Sequence, residues 1–257
     1  IAYYALRHLV RQGKRTKLPV TFLFIPEEEV GSPTSRARIE EAARGHKYAL
    51  VMEPGRDGDK VGTSRKGVGR FTLTAKGRAA HAGVRHEDGR SAILEIARQI
   101  VRIEEKTDYA RGITCNVGLI RGGSGVNVTP AECSIDVDLR VPSMQLAEEM
   151  THWFLNLEPI GKEVELSVEG GMNRPPYQKD AGITDLFQKA QAIYREIGKE
   201  LNDVPLTGGG SDGNFTAALG IPTLDGLGAD GKGAHAITEQ IYYSSLEPRT
   251  YLCARLL

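Results

Sequence analysis

The chain has 257 residues, balances 33 basic against 33 acidic side chains, and is 40% apolar and 26% charged, the proportions of an ordinary soluble globular enzyme. Zero net charge supplies no attraction for the phosphate backbone of nucleic acid, and no run approaches the about 18 apolar residues that a membrane-spanning helix needs, so neither nucleic acid nor membrane is an expected partner. Three cysteines without CxxC spacing, Cys115, Cys133 and Cys253, argue against a disulfide framework or a zinc knuckle and read as small core residues.

In chain order, residues 1–10 carry the periodicity of an amphipathic helix with no cap or targeting signal before it, so sequence upstream of Ile1 is expected. Residues 20–25 are an apolar, strand-like run that ends in Pro26-Glu27-Glu28-Glu29 and a turn at Gly31. A helix over 35–44 and a strand over 48–52 follow, an α/β alternation. Ligands in such sheets gather beyond the carboxyl ends of the strands, and Glu28, Glu29 and Glu53 fall at such ends.

From Gly67 the pattern changes. Strands over 70–75, 114–120, 133–141 and 164–169 and helices over 91–105 and 145–157 give the order strand, helix, two strands, helix, strand of a ferredoxin-like α+β unit. After Pro175-Pro176 the first pattern resumes with a helix over 183–200, the turn Thr207-Gly208-Gly209-Gly210-Ser211-Asp212, a helix after Gly213 and an apolar run over 221–224. The last residues, Leu256-Leu257, fall inside a further helix. The expected organisation is an α/β catalytic domain in two parts, 1–65 and 176–257, with a mixed sheet flanked by helices, interrupted by an inserted domain at 66–175.

Three consecutive carboxylates are either a solvated loop tip or a cluster organised around a cation, because buried like charges are costly unless neutralised. Three later segments favour the metal: Glu53 before Pro54, His81 in Gly77-Arg78-Ala79-Ala80-His81-Ala82-Gly83, and His235 in Gly231-Lys232-Gly233-Ala234-His235-Ala236. Imidazole and carboxylate are the donors zinc takes at catalytic sites. Plainer roles exist for each: Glu53 as a turn acceptor, His235 as a surface loop residue, His81 as a cap on the helix near Ser91. Asp212 reads more readily as a cap on the helix after it than as a site residue.

The Glu-Glu, Glu-Pro, His-Ala-Gly and Gly-Gly-Gly-Ser-Asp segments and the terminal histidine occur in the order of the dizinc metallopeptidase and deacylase family that includes glutamate carboxypeptidase, aminoacylase, acetylornithine deacetylase and succinyl-diaminopimelate desuccinylase. The chain resembles that family along its whole length, most of all the carboxypeptidase G branch. The resemblance implies that Glu28 is the general base that takes a proton from the attacking water, that Glu29 and His235 hold one zinc ion and that Glu53 holds another. It implies that the inserted domain is a lid that also mediates homodimer formation, with His81 reaching the neighbouring subunit's site to stabilise the oxyanion. Asn127 and Arg174 resemble the lid residues that hold the substrate carboxylate, and the amides around Gly209 are expected close to the substrate, the alternative being glycine that serves only a tight turn.

The family also has a zinc-binding histidine in a His-x-Asp motif and a bridging aspartate, both ahead of the helix that corresponds to residues 1–9, and neither stands there in this sequence. The expectation is therefore that these ligands precede Ile1 and that this chain carries about half of a metal site. The implied activity is zinc-dependent hydrolysis of an amide next to a free carboxylate, releasing a C-terminal glutamate or similar amino acid from a small peptide or N-acyl substrate. Cobalt or manganese suits the same donors. The alternatives are an N-acyl amino acid deacylase and a non-catalytic amino-acid or peptide-binding homologue. The compartment is left open, with the cytoplasm favoured over the periplasm.

Overall fold

The structure is a computed structural model that describes residues 1–55 and 58–257. It divides into two compact units, one of residues 66–176 and one of residues 1–65 together with 177–257.

The split unit begins with helix α1 (Ala2–Arg11), then α2 (Arg36–Ala43), strand β1 (Ala49–Leu50) and strand β2 (Lys60–Gly62). Residues 20–25, expected as a strand, form none, and Phe22, Leu23 and Phe24 are 38%, 46% and 85% exposed. A strand is stable only when its N–H and C=O groups are paired by a neighbour, and among the described residues no strand pairs with this segment. The strand expected over 48–52 is likewise reduced to β1, although pairing carries on past it as Val51 donates to the Leu224 carbonyl.

The inserted unit follows: β3 (Gly67–Lys76), α3 (Ala92–Glu104), β4 (Thr114–Gly122), β5 (Glu132–Val141), α4 (Met144–Leu155) and β6 (Glu165–Arg174). Its four strands form one antiparallel sheet in the order β4-β5-β3-β6, the ferredoxin-like topology that the sequence predicts. Alternation along β3 and β5 turns Phe71, Leu73, Ala75, Ile135, Val137 and Leu139 inward, where they meet Ile96 and Ile103 of α3 and Phe154 of α4. Phe71 and Phe154 stack at 4.3 Å. Cys115 and Cys133 lie in this core, and burial pushes the Cys115 thiol up to about 12.

The chain then returns to the split unit through α5 (Ala181–Arg195), β7 (Asn202–Val204), α6 (Gly213–Ala218), β8 (Thr223–Leu224), β9 (Gly231–Lys232), β10 (Gln240–Ile241) and α7 (Leu246–Leu256). Strand β1 pairs parallel with β8, β2 parallel with β7, and β9 with β10 as a hairpin. Its core is Val61, Leu186, Phe187, Ala190, Tyr194, Leu201, Leu224, Leu227 and Leu252. Cys253 is buried and unbonded like the other two cysteines. Among the described residues no helix is long and apolar enough to cross a membrane.

Candidate metal centre

In the split unit the acidic run is a single 3-10 turn over Glu28–Val30, closed by Gly31 at φ 100° and Ser32 at φ 52°. The three glutamates have separate fates. Glu27 turns to the start of α2, where its Oε1 accepts from the Thr34 N–H at 2.7 Å, the Ser35 N–H at 2.6 Å and the Thr34 hydroxyl at 2.9 Å. Although desolvation opposes it, these bonds from Ser35 and Thr34 hold its pKa below the usual range. The carboxylate at that helix start therefore comes from eight residues upstream, favoured by the unpaired N–H groups there.

Glu29 and His235, more than 200 residues apart in sequence, meet: Oε2 lies 3.7 Å from Nδ1, and both side chains are mostly exposed. His235 sits in the loop joining β9 to β10 with φ 65°, a left-handed conformation that a bulky residue adopts at a cost and that concentrates at functional sites. Glu53 follows β1 and is half-buried. Burial first, then Glu28, Asp225 and Glu29, push its pKa up to about 7 against the pull of Arg65. Glu28 and Glu29 thus lie near enough to Glu53 to disfavour its charge, and a cation beside the three would offset that repulsion.

Glu29 with His235 fits one zinc ion in donor chemistry, and Glu53 fits as a separate carboxylate donor. Among the described residues no three His, Cys, Asp or Glu side chains come together closely enough to hold a metal by themselves.

Beneath this cluster lies a buried network that the sequence did not announce. Asp225 is fully buried; it accepts from Arg65 Nε at 2.7 Å, from the Ser211 hydroxyl and from the Gly226 N–H at 2.6 Å. Arg65 also donates to the Gly209 carbonyl at 2.8 Å, so the network fixes the glycine turn. None of Gly208, Gly209 and Gly210 has φ in the left-handed region, so backbone conformation does not require glycine there. Asp212 is not the side-chain cap of α6; it instead accepts from the Ser32 hydroxyl at 2.7 Å and ties the glycine turn to the Glu28 turn.

In the inserted unit, His81 and Asn127 are neighbours. His81 forms an isolated antiparallel bridge with Val128, and Ala82 donates to the Asn127 carbonyl at 2.9 Å. His81 does not cap α3; Ser91 does, accepting from the Leu94 N–H at 3.1 Å. Arg174 is elsewhere: it pairs with Val68 at one end of β3, whereas the His81 and Asn127 segments adjoin the Lys76 end. At about 3.3 Å per residue Val68 and Lys76 are roughly 26 Å apart along β3. Arg174 is also buried, at 6% exposure.

The chain is thus a split α/β unit that brings carboxylates and a histidine together, interrupted by an inserted α+β unit. Residues 63–160 match the model of the peptidase dimerisation domain. The chain is 30% identical over 266 aligned residues to carboxypeptidase G2 of Pseudomonas sp. (strain RS-16), covering all of this chain and 63% of that protein. It is 26% identical to the succinyl-diaminopimelate desuccinylase of Hydrogenovibrio crunogenus, covering 96% of this chain and 68% of that protein. The structure superposes with a TM-score of 0.72 and 17% identity on the Bacillus subtilis YXEP protein, a dinuclear metal-binding peptidase, over 99% of this chain and 69% of that one. Residues 63–160 thus carry a peptidase dimerisation domain, and the chain along its length is similar to carboxypeptidase G2 and to a succinyl-diaminopimelate desuccinylase. It spans just under two thirds of the length of carboxypeptidase G2.

Proposed function

We propose that the protein is a zinc-dependent hydrolase that cleaves an amide next to a free carboxylate, releasing a C-terminal glutamate or similar amino acid from a small peptide or N-acyl substrate. The observation that carries this reading is the meeting of Glu29 and His235 at 3.7 Å beside Glu28 and Glu53. Zinc at these donors would supply Lewis acidity to the scissile carbonyl. Glu28 has no ligand duty in this assignment, and its carboxylate takes a proton from the attacking water and returns it to the leaving amine. The buried Arg65-Asp225-Ser211 network holds the backbone around Gly209 in place for the substrate.

The placement of the lid residues supports a homodimer as the working unit. One copy of the inserted unit holds His81 with Asn127 at one end of its sheet and Arg174 at the other, so a carboxylate held by Arg174 meets His81 and Asn127 only if a second copy supplies them. In that arrangement Arg174 grips the substrate carboxylate, and the second copy's His81 and Asn127 donate to the developing oxyanion and the substrate.

The test is hydrolysis of a panel of substrates by the zinc-supplemented protein. Faster release from folyl or peptidyl glutamate than from acetylornithine or succinyl-diaminopimelate is expected, with Glu28→Gln lowering kcat by about 10²–10⁴-fold. Equal rates across the panel would remove the glutamate assignment, and zinc-independent binding of these compounds without turnover would favour a non-catalytic homologue.

A further inference from the structure

Of the three segments that carry the candidate donors Glu29, Glu53 and His235, the last two meet at one buried ion pair. The segment from Val51 to Gly55, with Glu53 in it, runs beside residues 224–229: Leu227 donates to the Val51 carbonyl at 3.1 Å, Gly228 to the Glu53 carbonyl at 2.8 Å, and Gly55 to the Ala229 carbonyl at 3.0 Å. The next residue, Asp230, opens the β9-β10 hairpin whose loop carries His235. Asp230 is 5% exposed and accepts from Arg249 at 2.6 Å, and Arg249 on α7 is fully buried.

Arg249 does more than neutralise Asp230. Its guanidinium also donates to the Lys60 carbonyl at 3.0 Å and the Gly226 carbonyl at 3.3 Å. It thereby ties α7 to β2 and to the strand-end loop behind Glu53. The hairpin base is held at the same point: the Asp230 N–H donates to the Ser245 hydroxyl at 3.0 Å, and the Tyr242 N–H to the Asp230 carbonyl at 2.7 Å. Gly55 closes down on the pair so tightly that a Cβ there would lie 1.9 Å from Asp230 Oδ1 and 2.7 Å from Arg249.

We propose that Asp230 and Arg249 are positioning residues that hold the Glu53 loop and the His235 hairpin in register for metal. The proposal rests on the reading of Glu53, Glu29 and His235 as donors given above. A buried ion pair is weak evidence for stability, because desolvation offsets most of its attraction; fixing geometry is the better-supported use. Groups that orient metal ligands from behind alter metal affinity by about 10–100-fold when removed.

The test uses the full chain, cobalt as the metal probe and hydrogen exchange as a metal-free readout. Arg249→Met is expected to weaken cobalt binding by about 10–100-fold, to change the cobalt absorption spectrum, and to speed amide exchange in residues 231–241 while the amides of β3 and β5 keep their protection. Arg249→Lys keeps the charge but cannot reach Asp230, Lys60 and Gly226 together, so it should fall between the two and carries the same readouts if Arg249→Met does not fold. A variant that melts lower while cobalt affinity, spectrum and hairpin exchange stay as in the parent overturns the proposal and leaves the pair a core element only. If the parent chain binds no cobalt, the donor reading fails instead, and exchange in the hairpin alone decides whether the pair is a clamp.

Discussion

In residues 66–176, four long strands pair along their length, the apolar faces close on two helices, and even a buried carboxylate is fully served. Glu95, 1% exposed, accepts from the Ile160 and Gly161 N–H groups and from Gln99. Desolvation opposes these bonds but they outweigh it, and its pKa lies below the usual range. Among the described residues of the split unit the sheets have two strands each and no strand pairs with the segment 20–25, whose Phe22, Leu23 and Phe24 are exposed, and Glu53 sits among other carboxylates with its pKa raised. The contrast is between a buried carboxylate served by its own hydrogen bonds and a half-buried one that keeps like charges as neighbours.

Substitutions can break that comparison at graded cost. The largest effect is expected from Phe154→Ala, which removes a fully buried ring stacked on Phe71 and should cost about 3–5 kcal/mol, read as a lower denaturant midpoint of the inserted unit. Next is Glu95→Gln, which swaps a charged acceptor of several hydrogen bonds for a neutral one and should cost about 1–3 kcal/mol at neutral pH. Because the folded pKa of Glu95 is lowered, its contribution is present above the usual 4.5 and lost as pH falls through the folded value. The Tm difference between Glu95→Gln and the parent should therefore shrink at acid pH, and a difference that held constant would contradict this account.

Glu53 has the opposite sign. With a folded pKa raised from 4.5 to about 7, the folded chain binds the extra proton, so this stabilising contribution is present below pH 4.5 and lost as pH rises through about 7. Glu53→Gln should raise the Tm of the metal-free chain by a few degrees at pH 8, and that gain should vanish near pH 4; a loss of stability at pH 8 would show that the carboxylate is well served after all. The smallest effect is expected at Phe24, 85% exposed, where Phe24→Ser should change stability by less than about 0.5 kcal/mol.

Local pattern carried the inserted unit. The alternation of Arg70 through Ala75 and the periodicity of 91–105 place β3 and α3 to within a few residues, because both elements find partners close by in the same unit. The same logic misplaced 20–25, since an apolar run reports a wish to be buried and not the presence of a strand to pair with. Glu28, Glu29, Glu53 and His235 were legible as donor types at loops. The ion pairs behind them were not: Arg65 and Asp225 are 160 positions apart, and Asp225 and Asp230 stand in a glycine-rich stretch that reads as a loop. Asp212 was misjudged as a cap because capping depends on side-chain direction, which the Ser32 hydroxyl decides here.

The most direct test of the central claim is a calorimetric zinc titration of the full chain beside His235→Ala. The account predicts that the parent binds zinc and that losing the imidazole weakens binding by more than about tenfold, or about 1.4 kcal/mol. Equal affinity in the two, or no zinc binding by the parent, would contradict it.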